Sequence, residues 1–364
     1  MNILPKLVLK DLVAELPIIQ GGMGIGISGV SLASAVANEG GIGVLSSAGM
    51  GFDTPGYGKN PIDVSTKSLI EDIRECRKRT KGIIGVNIMV ATSNFTEMAQ
   101  AAIGEFVDVI FAGAGLPLDL PKYLQKDSKT KLVPIISSAK AATLIIKKWM
   151  SKFGYIPDAL VVEGPMAGGH LGFKPEQIDH EDYTLDNIVP QVVETARQAE
   201  VEYGQRIPVI AAGGIYTGED ISTMLAYGAA GVQMGTRFVT TTECDASAAF
   251  KETYISCHEE DIVIINSPVG MPGRAIQNPF LDNMQAGQAH PLKCPYQCIR
   301  TCNIKTSPYC IARALLNAKN GLMEKGFAFA GKNAYRAKSI ISVHELIETL
   351  KSEFVKRTVC PNNL

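Results

Sequence analysis

The stretch PVIAAGGIYTGEDISTMLAYGAAGVQMGTR, residues 208–237, decides the fold. Pro208–Ala212 is a short apolar run that stops at Gly213-Gly214. Ile221, Met224 and Leu225 then recur at helical spacing, and Gly231–Met234 is a second apolar run that stops at Gly235. Strand, glycine loop, helix and strand make one β/α unit. Apolar runs without alternation are expected of parallel strands covered on both faces. Towards the N-terminus the pattern repeats at Leu16–Gly21, Gly41–Leu45, Ile83–Met89, Val107–Ala112, Leu132–Ser137 and Ala159–Val162, with helical spacing between runs, as at Leu69, Ile73 and Cys76. Eight β/α units in roughly 240 residues predict an α/β chain folded as a (β/α)8 TIM barrel over residues 1–242. An open doubly wound sheet is the second choice.

Two segments break this rhythm. Ala48–Thr66 carries Gly49, Gly51, Gly56, Gly58, Pro55 and Pro61 and reads as a long loop over a site. Residues 243–322 read as an irregular insertion rich in Pro, Gly and Cys. The closing segment, 323–364, contains a helix at Val343–Phe354, whose stripe of Leu346, Ile347, Leu350 and Phe354 is expected to pack back on the barrel.

Composition removes several function classes. With 35 basic and 36 acidic residues the net charge is −1, which draws in neither a phosphate backbone nor an anionic membrane. No apolar run reaches the ~18 residues of a membrane span. Lys6, Lys10, Asp11 and Glu15 interrupt the first residues, so no signal peptide is read there and a cytoplasmic protein is expected. Eight cysteines in such a chain point to reduced thiols, a metal site or a cluster rather than to disulfides.

Strand C-termini form the catalytic face of a barrel, and the loops after strands seven and eight commonly cradle a phosphate. Gly213, Gly214 and Gly235 would offer backbone N–H groups there, and Thr236 a hydroxyl, unless the glycines only make tight turns. Arg237 either pairs the phosphate or stacks outside the barrel. VEGPMAGGH, residues 162–170, ends the sixth strand and puts His170 after two glycines, free to reach a ligand as acid, base or hydrogen-bond donor. The histidines at 180, 258, 290 and 344 lie in no such context. Asn87, at the end of the third strand, offers a donor and an acceptor to a planar ring edge. Gly24-Ile25-Gly26-Ile27-Ser28-Gly29 matches the dinucleotide fingerprint between strand and helix. The second strand ends Val44-Leu45-Ser46-Ser47 without the acid that holds a ribose, so a backbone passing close to a flat ligand is the simpler reading.

Cys294, Cys298, Cys302 and Cys310 form a group of another kind. Four thiols so close in sequence suit an iron–sulfur cluster or zinc, or are reduced and packed. Their spacing matches no common cluster run, and on one helix Cys294 and Cys302 would stand about 12 Å apart.

Gln20-Gly21-Gly22-Met23, Gly85-Val86-Asn87-Ile88-Met89, Glu163 to His170, Ala212-Gly213-Gly214-Ile215 and Gln233-Met234-Gly235-Thr236-Arg237 together resemble the nitronate monooxygenase family, which includes the FabK-type enoyl-acyl carrier protein reductases. The resemblance is strong over about residues 10–240. An inosine monophosphate dehydrogenase relative would share the Ala-Gly-Gly-Ile loop but needs a nucleophilic Cys between strands six and seven, and none is there. The resemblance implies a barrel that holds FMN non-covalently. Gly22 and Met23 would run along the flavin, with Asn87 at its polar edge; Gly214, Gln233, Met234, Gly235 and Thr236 would hold the phosphate. Glu163, Gly169 and Gly213 belong to the same implied site, and His170 matches the family's active-site histidine. Nitronate oxidation with O2, to a carbonyl compound and nitrite, is the first expectation. An NAD(P)H-dependent enoyl-thioester reductase is the alternative, and an NAD(P)H:quinone reductase or an iron–sulfur electron-transfer flavoprotein follows. Either main reading has a small-molecule substrate and is compatible with a homodimer. Ser267-Pro268-Val269-Gly270-Met271-Pro272-Gly273-Arg274 resembles a substrate-side loop of the FabK-like branch, with Arg274 on a carrier or cofactor phosphate or as an unpaired surface residue.

Overall fold

A computed structural model describes residues 4–288, 294, 296 and 298–359; His290 and Pro295 lie outside the described residues. The eight strands are β1 (Ile18–Gln20), β2 (Ile42–Ser46), β3 (Ile83–Met89), β4 (Val109–Gly113), β5 (Lys131–Ile136), β6 (Leu160–Glu163), β7 (Val209–Ala212) and β8 (Gly231–Met234). They close into a parallel barrel in sequence order, β8 returning to β1. The chain is therefore a TIM barrel, as the apolar runs predict. Two layers hold it together. Inside, Ile19, Val44, Phe111, Val133, Val161 and Ile210 fill the barrel; between strands and helices lie Leu32, Leu69, Trp149, Ile188 and Ile221.

An N-terminal hairpin, Leu7–Leu9 with Leu12–Ala14, sends Leu7, Leu9 and Ala14 into the inner layer and plugs the barrel's lower end. The sequence reading missed it because each strand has only three residues. Ala48–Thr66 is not loop throughout. Turns run to Asn60, and helix Pro61–Arg79 begins on Pro61, where a missing N–H costs nothing.

Residues 243–322 are more regular than the sequence suggests. Helices Ala248–Ser256, Pro279–Gln285 and Ile311–Lys319 flank an antiparallel pair, Ile262–Asn266 with Pro272–Ile276. The second of these strands also pairs with Gly169–His170, so the insertion is stitched to the segment that follows β6. Its small core contains Ile265, Phe280, Leu281 and Tyr309 and takes in Phe327 of the closing segment. The helix of Val343–Val359 packs on helix Gly218–Ala226 and runs five residues beyond the predicted Phe354. Among the described residues no helix is long and apolar enough to cross a membrane.

A candidate active site at the barrel mouth

Strand register sets the rim. Ala212 stands opposite both Glu163 and Gln233, Met234 opposite Gln20, and Ser46 opposite Asn87. Above this level opens a cavity of about 860 Å3, inside the range of ligand sites. Gly22, Met23, Asn87, Glu163, Gly169, His170, Gly213, Gly214, Gln233, Met234, Gly235 and Thr236 all line it. So do Ala48, Gly49 and Phe52 of the glycine-rich loop. Of the four clustered cysteines only Cys298 does; all four line a second, smaller cavity.

Buried polar groups pin the loop after β1. Gln20 is fully buried; its Oε1 accepts from Val44 N at 3.1 Å and its Nε2 donates to Ser28 Oγ at 2.8 Å. Met23 N donates to the same Ser28 Oγ at 2.9 Å. Gly22 must be glycine here, because a Cβ on it would lie 2.3 Å from Asn87 Cβ. Gly213 and Gly214 sit at φ +94° and +87°, which other residues rarely adopt. The 329–333 segment folds over these loops: Asn333 Nδ2 donates to Gly214 O at 2.6 Å and Gly331 N to Thr236 Oγ1 at 2.9 Å.

The fingerprint Gly24–Gly29 leads into helix Val30–Asn38, but that helix's N-terminus is already taken. Asp245 accepts from Gly29, Ser31 and Leu32 N–H groups at 2.9, 3.2 and 3.1 Å. With three of its N–H groups spent on a carboxylate that stands at the helix end, a pyrophosphate would meet a negative charge there, which argues against the dinucleotide reading. Two arginines also find other work. Arg237 lies over the Tyr216 ring at 4.7 Å, the stacking alternative. Arg274 is neither unpaired nor exposed: its Nη1 donates to Pro165 O at 2.8 Å and braces the turn after β6.

His170 is held from two sides. Its Nε2 is 2.7 Å from Ser267 Oγ, and the Phe329 ring meets it edge-on with centroids 5.0 Å apart. Burial pushes its pKa down to about 4, so the imidazole is neutral at physiological pH. Burial pushes the Glu163 carboxyl up to about 7. Ser267 belongs to the 267–274 loop, but nothing in the sequence signals its bond to His170. Phe329 and Asn333 went unseen altogether, since only the fold brings their segment back to the mouth.

Fold and site together are those of a closed parallel barrel with a large cavity at its strand C-termini. The family model for nitronate monooxygenase matches residues 6–353, and the chain belongs to the nitronate monooxygenase family, whose members are generally FMN-dependent. A probable nitronate monooxygenase of Staphylococcus aureus is 29% identical over 307 residues, covering 74% of this chain and 78% of that one. A (3aS,4S,5R,7aS)-5-hydroxy-7a-methyl-1-oxo-octahydro-1H-indene-4-carboxyl-CoA dehydrogenase of Mycobacterium tuberculosis is 30% identical over 273 residues, 75% of this chain. The match spans 66% of that dehydrogenase, a little under two thirds. Among solved structures, FabK from Thermotoga maritima has a TM-score of 0.72 at 29% identity, with 95% of this chain and 94% of FabK covered.

Proposed function

We propose that the mouth cavity binds FMN and that the chain oxidises alkyl nitronates with O2, yielding a carbonyl compound and nitrite. The observation that carries the reading is the convergence of every glycine loop, Asn87 and His170 on one cavity of about 860 Å3. Such a cavity suits a flat ring with a phosphate tail, for Gly22 keeps one wall clear of side chains and Gly213 and Gly214 present bare backbone. Asn87 would bond the polar ring edge; Gly214 and the Gln233–Thr236 turn would hold the phosphate. When bound, FMN supplies the electron acceptor and the reactivity towards O2.

The remaining work falls to the protein. Neutral His170 donates a hydrogen bond to the anionic nitro group and fixes the nitronate against the ring. With its pKa near 4 it is a poor base, so pre-formed nitronates are favoured over neutral nitroalkanes. Glu163, protonated below about pH 7, adds no negative charge beside two anionic ligands. Substituting His170→Ala tests this: FMN stays bound while turnover of ethyl nitronate falls roughly 100-fold or more. Unchanged turnover removes His170 from the mechanism.

A second reading, NAD(P)H-dependent reduction of an enoyl thioester, is favoured by one feature. The cavity extends past His170 to Met271, Leu315 and Phe329, giving an apolar path for an acyl chain. The likeness to FabK over 95% of this chain points the same way. There His170 would donate to the thioester carbonyl.

A further inference from the structure

We propose that Cys294, Cys298, Cys302 and Cys310 ligate an iron–sulfur cluster in the small cavity beside the barrel mouth. None of the described residues from Cys294 to Cys302 is helical, so the spacing that would hold those two thiols apart does not apply to them. Residues around Cys298 are laid along the loop after β3, with Ser93 N donating to Cys298 O at 3.1 Å and Arg300 N to Ala91 O at 3.1 Å. Cys310 arrives from the other direction, just ahead of helix Ile311–Lys319. All four residues thereby line one cavity of about 170 Å3, several times the ~30 Å3 share of a single water.

The chemistry of the lining selects the ligand. Apart from the cysteines and Tyr309 the walls are aliphatic, Pro268, Ile299, Ile304, Ile311 and Ala312, as befits a thiolate-bound cluster shielded from water. Cys298, Cys302 and Cys310 are in no disulfide. Among the described residues no group of three or more His, Cys, Asp or Glu side chains is placed to hold a metal ion. The four cysteines line a shared cavity without converging on one point, which suits a multi-iron core better than a lone zinc. Charge agrees. No Asp or Glu occurs from Asn283 to Met323, while Lys293, Arg300, Lys305, Arg313 and Lys319 do, in a chain whose net charge is −1. A basic segment offsets the negative charge that thiolates and sulfides bring.

The two cavities share Cys298, Ile299, Ile311 and Ala312 as walls, so one layer of residues separates the cluster from the proposed flavin. A redox role for the cluster rests on the FMN reading; its presence does not. Full-length protein purified anaerobically and reconstituted with ferrous iron and sulfide is assayed for iron, acid-labile sulfide, zinc and FMN. Expected are iron and sulfide in equal amounts, visible absorption that outlasts FMN removal, and a paramagnetic signal after dithionite. Cys298→Ser and Cys310→Ser lose at least half of the iron but keep the far-UV spectrum of the parent, whereas Cys257→Ser, buried elsewhere, keeps its iron. Absence of iron and sulfide, zinc in their place, or full iron retention in both cluster variants overturns the proposal. FMN content, read on the same samples, reports separately on the flavin site.

Discussion

Adding one methyl group at Gly22 tests how the site is built. A Cβ there would stand 2.3 Å from Asn87 Cβ and 2.9 Å from Asn87 Cγ, where ordinary contact is 3.4–4 Å, so something must move by more than an ångström. Neither side yields easily. Asn87 is fixed in the ladder between Ser46 and Phe111, and the Gly22 loop is tied to Gln20 and Ser28. Overpacking of this kind costs ~1–3 kcal/mol. If the strain is felt where the flavin lies, the Kd for FMN rises roughly 5- to 150-fold in Gly22→Ala. Quenching of FMN fluorescence on titration with apoprotein measures it. Asn87→Gly removes the opposing Cβ, so in the double variant the Gly22→Ala penalty should shrink to a few-fold relative to Asn87→Gly alone. A folded Gly22→Ala with Kd within twofold of the parent would refute the placement of Gly22 and Asn87 against the cofactor.

Three further outcomes are expected. Ser267→Ala removes the 2.7 Å partner of His170 Nε2; kcat/KM falls roughly 2- to 10-fold, the worth of one hydrogen bond, with FMN content unchanged. Asp245→Ala uncaps helix Val30–Asn38, losing bonds to three N–H groups, and lowers unfolding free energy by about 1–2 kcal/mol in urea melts. Glu163 holds its proton to about pH 7 in the folded chain but loses it near pH 4.5 when unfolded. The folded state thus binds more protons across that window, and stability relative to Glu163→Gln falls as pH rises from 4.5 to 7. A flat difference over this range contradicts the buried, protonated carboxyl.

The barrel was legible because its strands are covered on both faces and so read as apolar runs at regular intervals; all eight overlap the predicted positions. The predicted site residues share one cavity because barrel topology brings every strand C-terminus to the same rim. What stayed hidden depends on long-range return of the chain. Ser267 reaches His170 only through the strand pairing of Gly273 with His170, and Asn333 reaches Gly214 only through the closing segment. Arg274 misled because charge suggested exposure, whereas its guanidinium is buried on a backbone carbonyl. The fingerprint at Gly24–Gly29 misled for a related reason: the carboxylate that occupies its helix N-terminus lies at Asp245, far along the chain.

An FMN held at the barrel mouth should take its electrons from a nitronate. Anaerobic stopped-flow absorbance at the flavin band, with ethyl nitronate in one mixing and NADH or NADPH in the other, tests it most directly. Rapid loss of the oxidised flavin spectrum is expected with nitronate, and none with either nicotinamide alone. Fast bleaching by NADH or NADPH, with no response to nitronate, would contradict it and move the chain to the enoyl-thioester reading.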